Sequence, residues 1–491
     1  MILTTHQKEI YDILYDFSTT KTPFNTILLN ASAGTGKTYL LSVLIKQLLK
    51  NKDIIKIDFI CPTHVSLNIA KQKILDQNII LNEKIELSTI HSFLKYKKNV
   101  LHDGTIEYKR NYKLKLQIKS NIVIVDECSM IDDLMYYDLI EQCKKNKIIF
   151  NGDEIQLPPI GQLKSIVFNS NIKMISLTEM IRTKSVKITD FVYKHRECIL
   201  KNIPIKIGKL IDNNEICLLR DKNKFILHFI ENLKSNNILL AYHVKVVDHY
   251  NKKIREHIFN KEILNYFEIG EYLIFNEHHR IYITNIENEI ETIIFNTSEK
   301  VKVSNIILNK EKLKTIPITL TKTLPKNIND LICEGLENIN SILKKDTFDI
   351  YKLTVIKLKF ETPYDIKTIS NTHIIQYNKM VNELLNLLKK IYDDSLNIIE
   401  KMDVEMDIYT YQTNLNNKMQ KIYDLFYGII EEYAKLNYGY AMTVHKSQSA
   451  TFENVYIDIE DIYKNKIEHE ISKMLFTAIT RASTKLVLFS S

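Results

Sequence analysis

Short runs of consecutive apolar residues recur through the first third of the chain. They fall at residues 26–30 (TILLN), 56–61 (KIDFIC), 121–125 (NIVIV) and 147–150 (KIIF). Each is bounded by polar residues, the pattern of a strand buried on both faces. Stretches of helical period lie between them, residues 38–50 being one. Strands alternating with helices predict a parallel sheet with helices on both faces. A second set of strand-like runs appears late, at 439–444, 455–459 and 485–489, with a further candidate at 238–242. The chain therefore reads as an α/β protein with two such units.

Two segments break this rhythm. Residues 93–120 are rich in Lys, Arg and Tyr, and Asp103-Gly104 sits between two short runs, which predicts a small inserted β-hairpin. The longer interruption, 261–424, holds β-like stretches first and a helical stretch near 374–402 later. It reads as a separate inserted domain.

Composition narrows the class. A chain of 491 residues corresponds to about three domains. With 45% apolar and 26% charged residues, global disorder is excluded. No run of about 18 uncharged apolar residues predicts a membrane span, and the opening MILTTHQKEIYD lacks the basic-then-apolar pattern of a signal peptide. Six scattered cysteines without a C-x-x-C pair argue against a disulfide framework or a zinc ribbon, and for a reducing cytoplasm. The net charge of +8 is compatible with a polyanionic partner and does not establish one. Glycine, at 10 residues, is scarce enough for its placement to inform.

Two of those glycines fall in residues 31–38, Ala-Ser-Ala-Gly-Thr-Gly-Lys-Thr, directly after a predicted strand and before a predicted helix. That is the context of a P-loop. Backbone N–H groups around Ala33, Gly34, Thr35 and Gly36 would meet phosphate at the positive end of the helix dipole. Lys37 would reach the β- and γ-phosphates, and Thr38 would offer its hydroxyl to Mg²⁺. The first position of the usual pattern is Ala31 here rather than Gly. The run at 121–125 leads into Asp126-Glu127, an acidic pair at the carboxyl end of a buried strand. There Asp126 would hold Mg²⁺ and Glu127 would orient or deprotonate the attacking water. Such a pair alone is more often a solvated turn; its place downstream of a P-loop favours the catalytic reading.

After the fourth run comes Gly-Asp-Glu-Ile-Gln-Leu-Pro-Pro at 152–159, where Gln156 could sense hydrolysis. With this segment the chain resembles superfamily 1 helicases, and within them the 5′→3′ branch of RecD, the Pif-type enzymes and Dda. The motifs fall in that family's order over nearly the whole chain. The resemblance implies that Gln7 contacts adenine. It implies that Pro62, Thr63 and His64 (in CPTH) and Thr89 and His91 (in STIHS) contact single-stranded DNA, as do Thr443, His445, Lys446 and Ser447 (in YAMTVHKSQ). Arg182 (in LTEMIR) would reach the γ-phosphate, and Arg481 (in FTAITRA) would act as a second arginine finger. Two positions depart from the family: Thr183 follows Arg182 where Gln is usual, and Ser449 follows Gln448 where Gly is usual. If residue 449 needs a left-handed backbone, Ser costs about 1 kcal/mol there.

The fold so implied is two RecA-like P-loop NTPase domains, with a small β-hairpin insert in the first and a larger mixed β/α insert in the second. The expected boundaries are 1–190 for the first domain, containing the 93–120 hairpin as a candidate strand-separating pin, 191–260 with 425–491 for the second, and 261–424 for its insert. Leu101, His102 and Tyr108 are the candidate wedge residues; a solvated basic hairpin without that role is the competing reading. The expected activity is ATP-dependent translocation on single-stranded DNA, 5′→3′, in replication, recombination or repair, closest to the Dda-type phage enzymes. ATP and Mg²⁺ are the expected cofactors. Single strands and duplex–single-strand junctions are the expected partners, with a single-strand-binding protein or replisome component besides, and no membrane. A RecD-like subunit of a helicase–nuclease complex and an ATP-gated clamp without unwinding activity are the alternatives.

Overall fold

Strands buried on both faces build the first sheet. The computed structural model describes the chain except residues 1–2, 101–105, 111–119, 160, 182–184, 202, 204–214, 262, 285–288, 320–322, 359–360, 403–404 and 491. Helix α1 (Thr5–Thr19) leads to β1 (Thr26–Ala31), α2 (Lys37–Leu48), β2 (Ile57–Cys61), α3 (His64–Leu75), β3 (Ile85–Thr89) and a single turn, α4 (Ile90–Phe93). A hairpin of β4 (Tyr96–Val100) and β5 (Ile106–Arg110) precedes β6 (Ile122–Val125), α5 (Asp133–Gln142), β7 (Lys147–Gly152) and β8 (Lys173–Leu177). The sheet order is β3-β2-β6-β7-β1-β8, with every neighbouring pair parallel.

All four predicted runs are strands of this sheet. Every residue of β2 and of β6 is buried, which is why they read as unbroken apolar runs. The two strands the apolar pattern does not predict, β3 and β8, are the outer ones; each leaves several residues in partial or full contact with solvent, so polar positions interrupt their pattern.

The second sheet draws strands from both sides of the long insertion. Helix α6 (Val186–Leu200) is followed by β9 (Ile216–Leu219), α7 (Lys222–Glu231), β10 (Asn237–Ala241) and α8 (Val244–Phe259). The chain returns with β18 (Ala441–Thr443), β19 (Phe452–Asp458), α12 (Ile459–Ile462), α13 (Glu468–Ile479) and β20 (Ala482–Phe489). The order β18-β10-β19-β20-β9 is again parallel throughout. Both sheets belong to one compact unit, Met1–Lys95, Asn111–Glu262 and Tyr438–Ser491. The molecule is thus an α/β protein with two RecA-like sheets, as the alternation of strands and helices predicts.

The other unit comprises Tyr96–Arg110 and Ile263–Asn437. It contains β11 (Tyr272–Phe275), β12 (His279–Thr284), β13 (Ile290–Phe295), β14 (Lys300–Glu311), α9 (Lys326–Lys345), β15 (Phe348–Lys357), β16 (Pro363–Ile369), α10 (Asn371–Glu400), α11 (Glu405–Ile430) and β17 (Leu436–Tyr438). Its main sheet runs β16-β15-β14-β11-β17. Helices α9, α10 and α11 share an apolar core that includes Ile332, Leu336, Leu384, Leu388, Leu415 and Phe426. Glycine is required where α9 meets α10, because a Cβ on Gly335 would lie 2.4 Å from Ile391 Cδ1.

Two expected boundaries move. The insertion ends at Asn437 rather than near residue 424, because α11 keeps burying Phe426 and Ile429 to its last turn and β17 still pairs within the insert's sheet. The strand expected at 439–444 is β18, Ala441–Thr443, and the residues just before it form β17, Leu436–Tyr438, in the insert's sheet. The hairpin β4–β5, expected within the first domain, groups with the inserted unit, where β4 lies against α11. Its tip, with Leu101, His102 and Asp103-Gly104, is outside the described residues. Among the described residues no helix is long and apolar enough to cross a membrane.

Candidate active site

The loop between β1 and α2 is shaped by two glycines in the left-handed region, Gly34 at φ 84° and Gly36 at φ 75°. Gly36 is also hemmed in: a Cβ there would lie 2.6 Å from Ile181 Cδ1 and 2.9 Å from Gln7 Nε2. Neighbours fix the loop from outside. Ala33 N–H donates to Asp153 Oδ2 at 2.8 Å, Ile181 N–H to the Gly34 carbonyl at 2.8 Å, and Thr35 Oγ1 to the Ser32 carbonyl at 2.8 Å. Gln7 is buried, its position set by the capping box it forms with Thr4 at the start of α1. Its amide donates to the Thr35 carbonyl at 2.9 Å, so it touches the phosphate loop itself.

Four groups named by the sequence converge at the mouth of this loop. Lys37 Nζ lies 2.9 Å from Glu127 Oε2, and Thr38 Oγ1 donates to Asp126 Oδ2 at 3.1 Å. The other Asp126 oxygen accepts the Glu127 N–H at 2.9 Å and the Asn151 amide. Glu127 stands at φ 54°, a left-handed conformation costly for a non-glycine residue and common at active sites. Burial, and then the neighbouring Glu127, push the Asp126 carboxyl up to about 6. Burial opposes the charge on Lys37, but Glu127, Asp126 and Asp153 hold its pKa above the ordinary lysine range. The result is a buried cradle in which one ammonium faces two carboxylates. A hydroxyl beside a carboxylate suits the all-oxygen coordination of Mg²⁺, with substrate phosphate and water supplying the remaining ligands.

Gln156 is buried, and its side-chain oxygen has no hydrogen-bond partner among the described residues. Arg481 is buried within its own motif, with Nε donating to the Thr477 carbonyl at 2.9 Å and Nη2 to Thr480 Oγ1 at 3.0 Å. Arg182 and Thr183 lie outside the described residues; Ile181, just before them, is the residue bonded to Gly34.

The expected DNA-contacting residues follow the carboxyl ends of β2, β3 and β18, the edge where open α/β sheets receive ligands. They divide into two kinds. Thr63 and Thr89 cap α3 and α4, accepting the N–H groups of Ser66 and Ser92, and Thr89 is buried. Ser447 is fully buried and donates to the Val444 carbonyl at 2.7 Å. Thr443 accepts the Lys446 N–H. Pro62, His64, His91 and Lys446 are partly open and His445 is exposed. Burial lowers the His91 pKa. The hydroxyls thus shape the loops, while the rings and the ammonium face outward.

Sequence reasoning passed over Asp153, Asn151 and Arg196. Asp153 is fully buried between the Ala33 N–H and Arg196 Nη1, each at 2.8 Å. Its motif was legible and its role was not, because Arg196 lies on α6 and only the fold brings the two together.

Two family models match the chain: an AAA domain at residues 18–162 and a UvrD-like helicase C-terminal domain at 438–489. The uncharacterized protein R530 of Acanthamoeba polyphaga mimivirus is 30% identical, over 92% of this chain and 93% of its own length. RecBCD enzyme subunit RecD of Buchnera aphidicola subsp. Schizaphis graminum is 26% identical, over 95% of this chain and 70% of its own. ATP-dependent DNA helicase Pif1 of Campylobacter jejuni is 23% identical, over 94% and 87%. The expected closeness to Dda-type enzymes is weaker: ATP-dependent DNA helicase dda of phage T4 is 28% identical over only 61% of this chain and 67% of its own.

Proposed function

The chain belongs to the Pif1/RecD-like helicases of superfamily 1B, and from that membership we propose that it hydrolyses ATP to move 5′→3′ along single-stranded DNA and unwind duplex ahead of it. The observation that carries the chemistry is the convergence of buried Lys37, Glu127 and Asp126 with Thr38 at the P-loop.

In this reading the loop N–H groups and Lys37 hold the nucleotide phosphates, and Gln7 sits beside adenine. Thr38 and Asp126 would hold Mg²⁺, which would offset phosphate charge. Glu127, released from Lys37 as phosphate takes over the ammonium, orients and deprotonates water. Gln156 presents its open acceptor to that water. Arg481 and Arg182 stabilise charge on the transferred phosphoryl group, a role that can be worth about 10³–10⁵ in rate. Pro62, His64, His91, His445 and Lys446 contact the strand, while Thr63, Thr89, Thr443 and Ser447 shape the loops that present them. Contacts of this kind carry no base information, so the enzyme works without sequence preference. The hairpin β4–β5 serves as the separating pin.

The relative R530 comes from a virus, and in this reading the enzyme serves DNA replication, recombination or repair, in the host cytoplasm for a viral protein, beside a single-strand-binding protein or replisome component. The RecD relative, alike over most of this chain, favours a second reading as one subunit of a helicase–nuclease complex.

The test is unwinding of matched duplexes bearing a 5′ or a 3′ single-stranded tail, with Lys37→Ala as control. Unwinding from the 5′ tail alone is expected. Unwinding from the 3′ tail alone would overturn the direction. Unwinding that appears only when a nuclease subunit is added would favour the second reading.

A further inference from the structure

The carboxyl end of β10 carries two rings to which the reading above gives no role. Tyr242 and His243 follow its last residue, with ring centroids 4.5 Å apart and edge to face. The His445 ring lies 6.4 Å from that of Tyr242. Sheet register brings them together: Ala241 pairs with Thr443, and the Val444 N–H donates to the Ala241 carbonyl.

A buried carboxylate holds this turn in place. One oxygen of Asp461 accepts the Tyr242 and His243 N–H groups, each at 2.8 Å, and the other lies 2.9 Å from His243 Nδ1. Asp461 is anchored in turn, its N–H donating to Asp458 Oδ1 at 3.0 Å, while Asp458 Oδ2 accepts the Tyr250 hydroxyl at 2.6 Å. The Asp461 side chain is 1% exposed and that of His243 is 46% exposed. Burying a carboxylate is expensive, and a surface turn does not need one to fold. Spent here, it fixes the backbone that carries the half-buried Tyr242 and orients the exposed His243 ring, which is what a preorganised binding surface requires. Lys245 beside the turn is exposed and Lys446 is partly open, while Lys464 Nζ lies 3.7 Å from Asp461 Oδ1 and Glu470 acts on His445.

We propose that Tyr242 is a base-stacking contact for single-stranded DNA, flanked by His243 and His445 and positioned by Asp461. This rests on the helicase reading. Aromatic faces take any base, and surrounding basic groups track the phosphates. The turn lies at the carboxyl edge of a parallel sheet, where ligands of open α/β folds collect. The chain has no Trp, so stacking falls to its other rings.

The test measures equilibrium binding of fluorescein-labelled oligo-dT and of an abasic oligonucleotide of equal length, with circular-dichroism melts to show that each variant folds. Wild type should prefer oligo-dT. Tyr242→Ala should weaken oligo-dT binding by roughly tenfold and leave abasic binding unchanged, whereas Tyr242→Phe should bind as wild type. Asp461→Asn, which keeps the shape of the side chain and weakens its grip on the turn, should fall between. Unchanged oligo-dT affinity in Tyr242→Ala overturns the stacking role while leaving the helicase reading intact. Equal losses on both oligonucleotides would mean a backbone contact and also overturn it. A wild-type protein that binds neither oligonucleotide would sink both.

Discussion

Asp153 and Arg196 form a buried ion pair, 2.8 Å between Oδ1 and Nη1, while Asp153 Oδ2 holds the P-loop through the Ala33 N–H. Helix α6 is thus tied to the phosphate loop by a single carboxylate. Arg196→Ala leaves that carboxylate buried without its cation, which costs about 3–5 kcal/mol for a broken buried pair. Urea denaturation should show a loss near the lower figure, because the Ala33 and Ile155 N–H groups still bond Asp153. Arg196→Lys should lose less than half as much. Both variants should bind a fluorescent ADP analogue more weakly, since Asp153, though still bonded to the Ala33 N–H, loses the cation that fixes its position. Undiminished affinity in Arg196→Ala would show that the pair serves folding alone.

Asp126 makes the site sensitive to pH. Its carboxyl is pushed up to about 6 by burial first and by Glu127 second. A folded-state pKa above the unfolded one means that the contribution of this group to stability is fully present below about pH 4 and is lost as pH rises through about 6. Asp126→Asn removes that loss, so at pH 7.5 the variant should be more stable than wild type by on the order of 1–3 kcal/mol, yet inactive in hydrolysis. Mg²⁺-dependent nucleotide binding by wild type should weaken as pH falls through 6, because in the proposed site the ionised carboxylate would be the ligand. Thermal melts of both proteins from pH 5 to 8 check the first statement, and Mg²⁺ titrations of nucleotide binding check the second. A stability gap independent of pH would refute the burial argument.

How far the sequence reached follows from where each signal resides. Lys37, Thr38, Asp126 and Glu127 are held by short local motifs, and each lies where its motif predicts. Strands β2 and β6 are buried on both faces and announce themselves, whereas β3 and β8 at the sheet edges carry polar residues that mask them. Asp153 with Arg196 and Tyr242 with Asp461 are separated by 43 and 219 residues, and no local pattern joins them. Among the motif hydroxyls, a sequence cannot tell a group that faces a ligand from one that caps a turn; the inward-facing Ser447 is the clearest case.

Ser449 adopts φ 66°, the left-handed backbone that the glycine usual at this position would adopt freely. The strain is about 1 kcal/mol. Ser449→Gly relieves it but adds about 0.4–1 kcal/mol of unfolded-state entropy, so its stability should stay within about 0.5 kcal/mol of wild type. Ser449→Val, with a β-branched side chain in the same conformation, should lose more than about 1 kcal/mol. Denaturant midpoints at equal m-value decide this. A valine variant as stable as wild type would mean that the turn relaxes out of the left-handed region.

The hairpin can be separated from the motor. Strands β4 and β5 pair antiparallel from Tyr96↔Arg110 to Val100↔Ile106, and Tyr108 on β5 is 52% exposed. Residues 101–105 are separate in sequence from Lys37, Thr38, Asp126 and Glu127, so they can be replaced with those residues unchanged. Replacing residues 101–105 by Gly-Ser repeats should abolish unwinding of a tailed duplex while preserving hydrolysis stimulated by single strands, because the pin meets only the junction. Tyr108→Ala alone should slow unwinding severalfold if the ring stacks on the terminal base pair, a contact of about 1–3 kcal/mol. Unwinding that survives the tip replacement would remove the pin from the mechanism and leave strand separation to the motor domains. Loss of stimulated hydrolysis together with unwinding would instead make the hairpin part of the strand-binding surface.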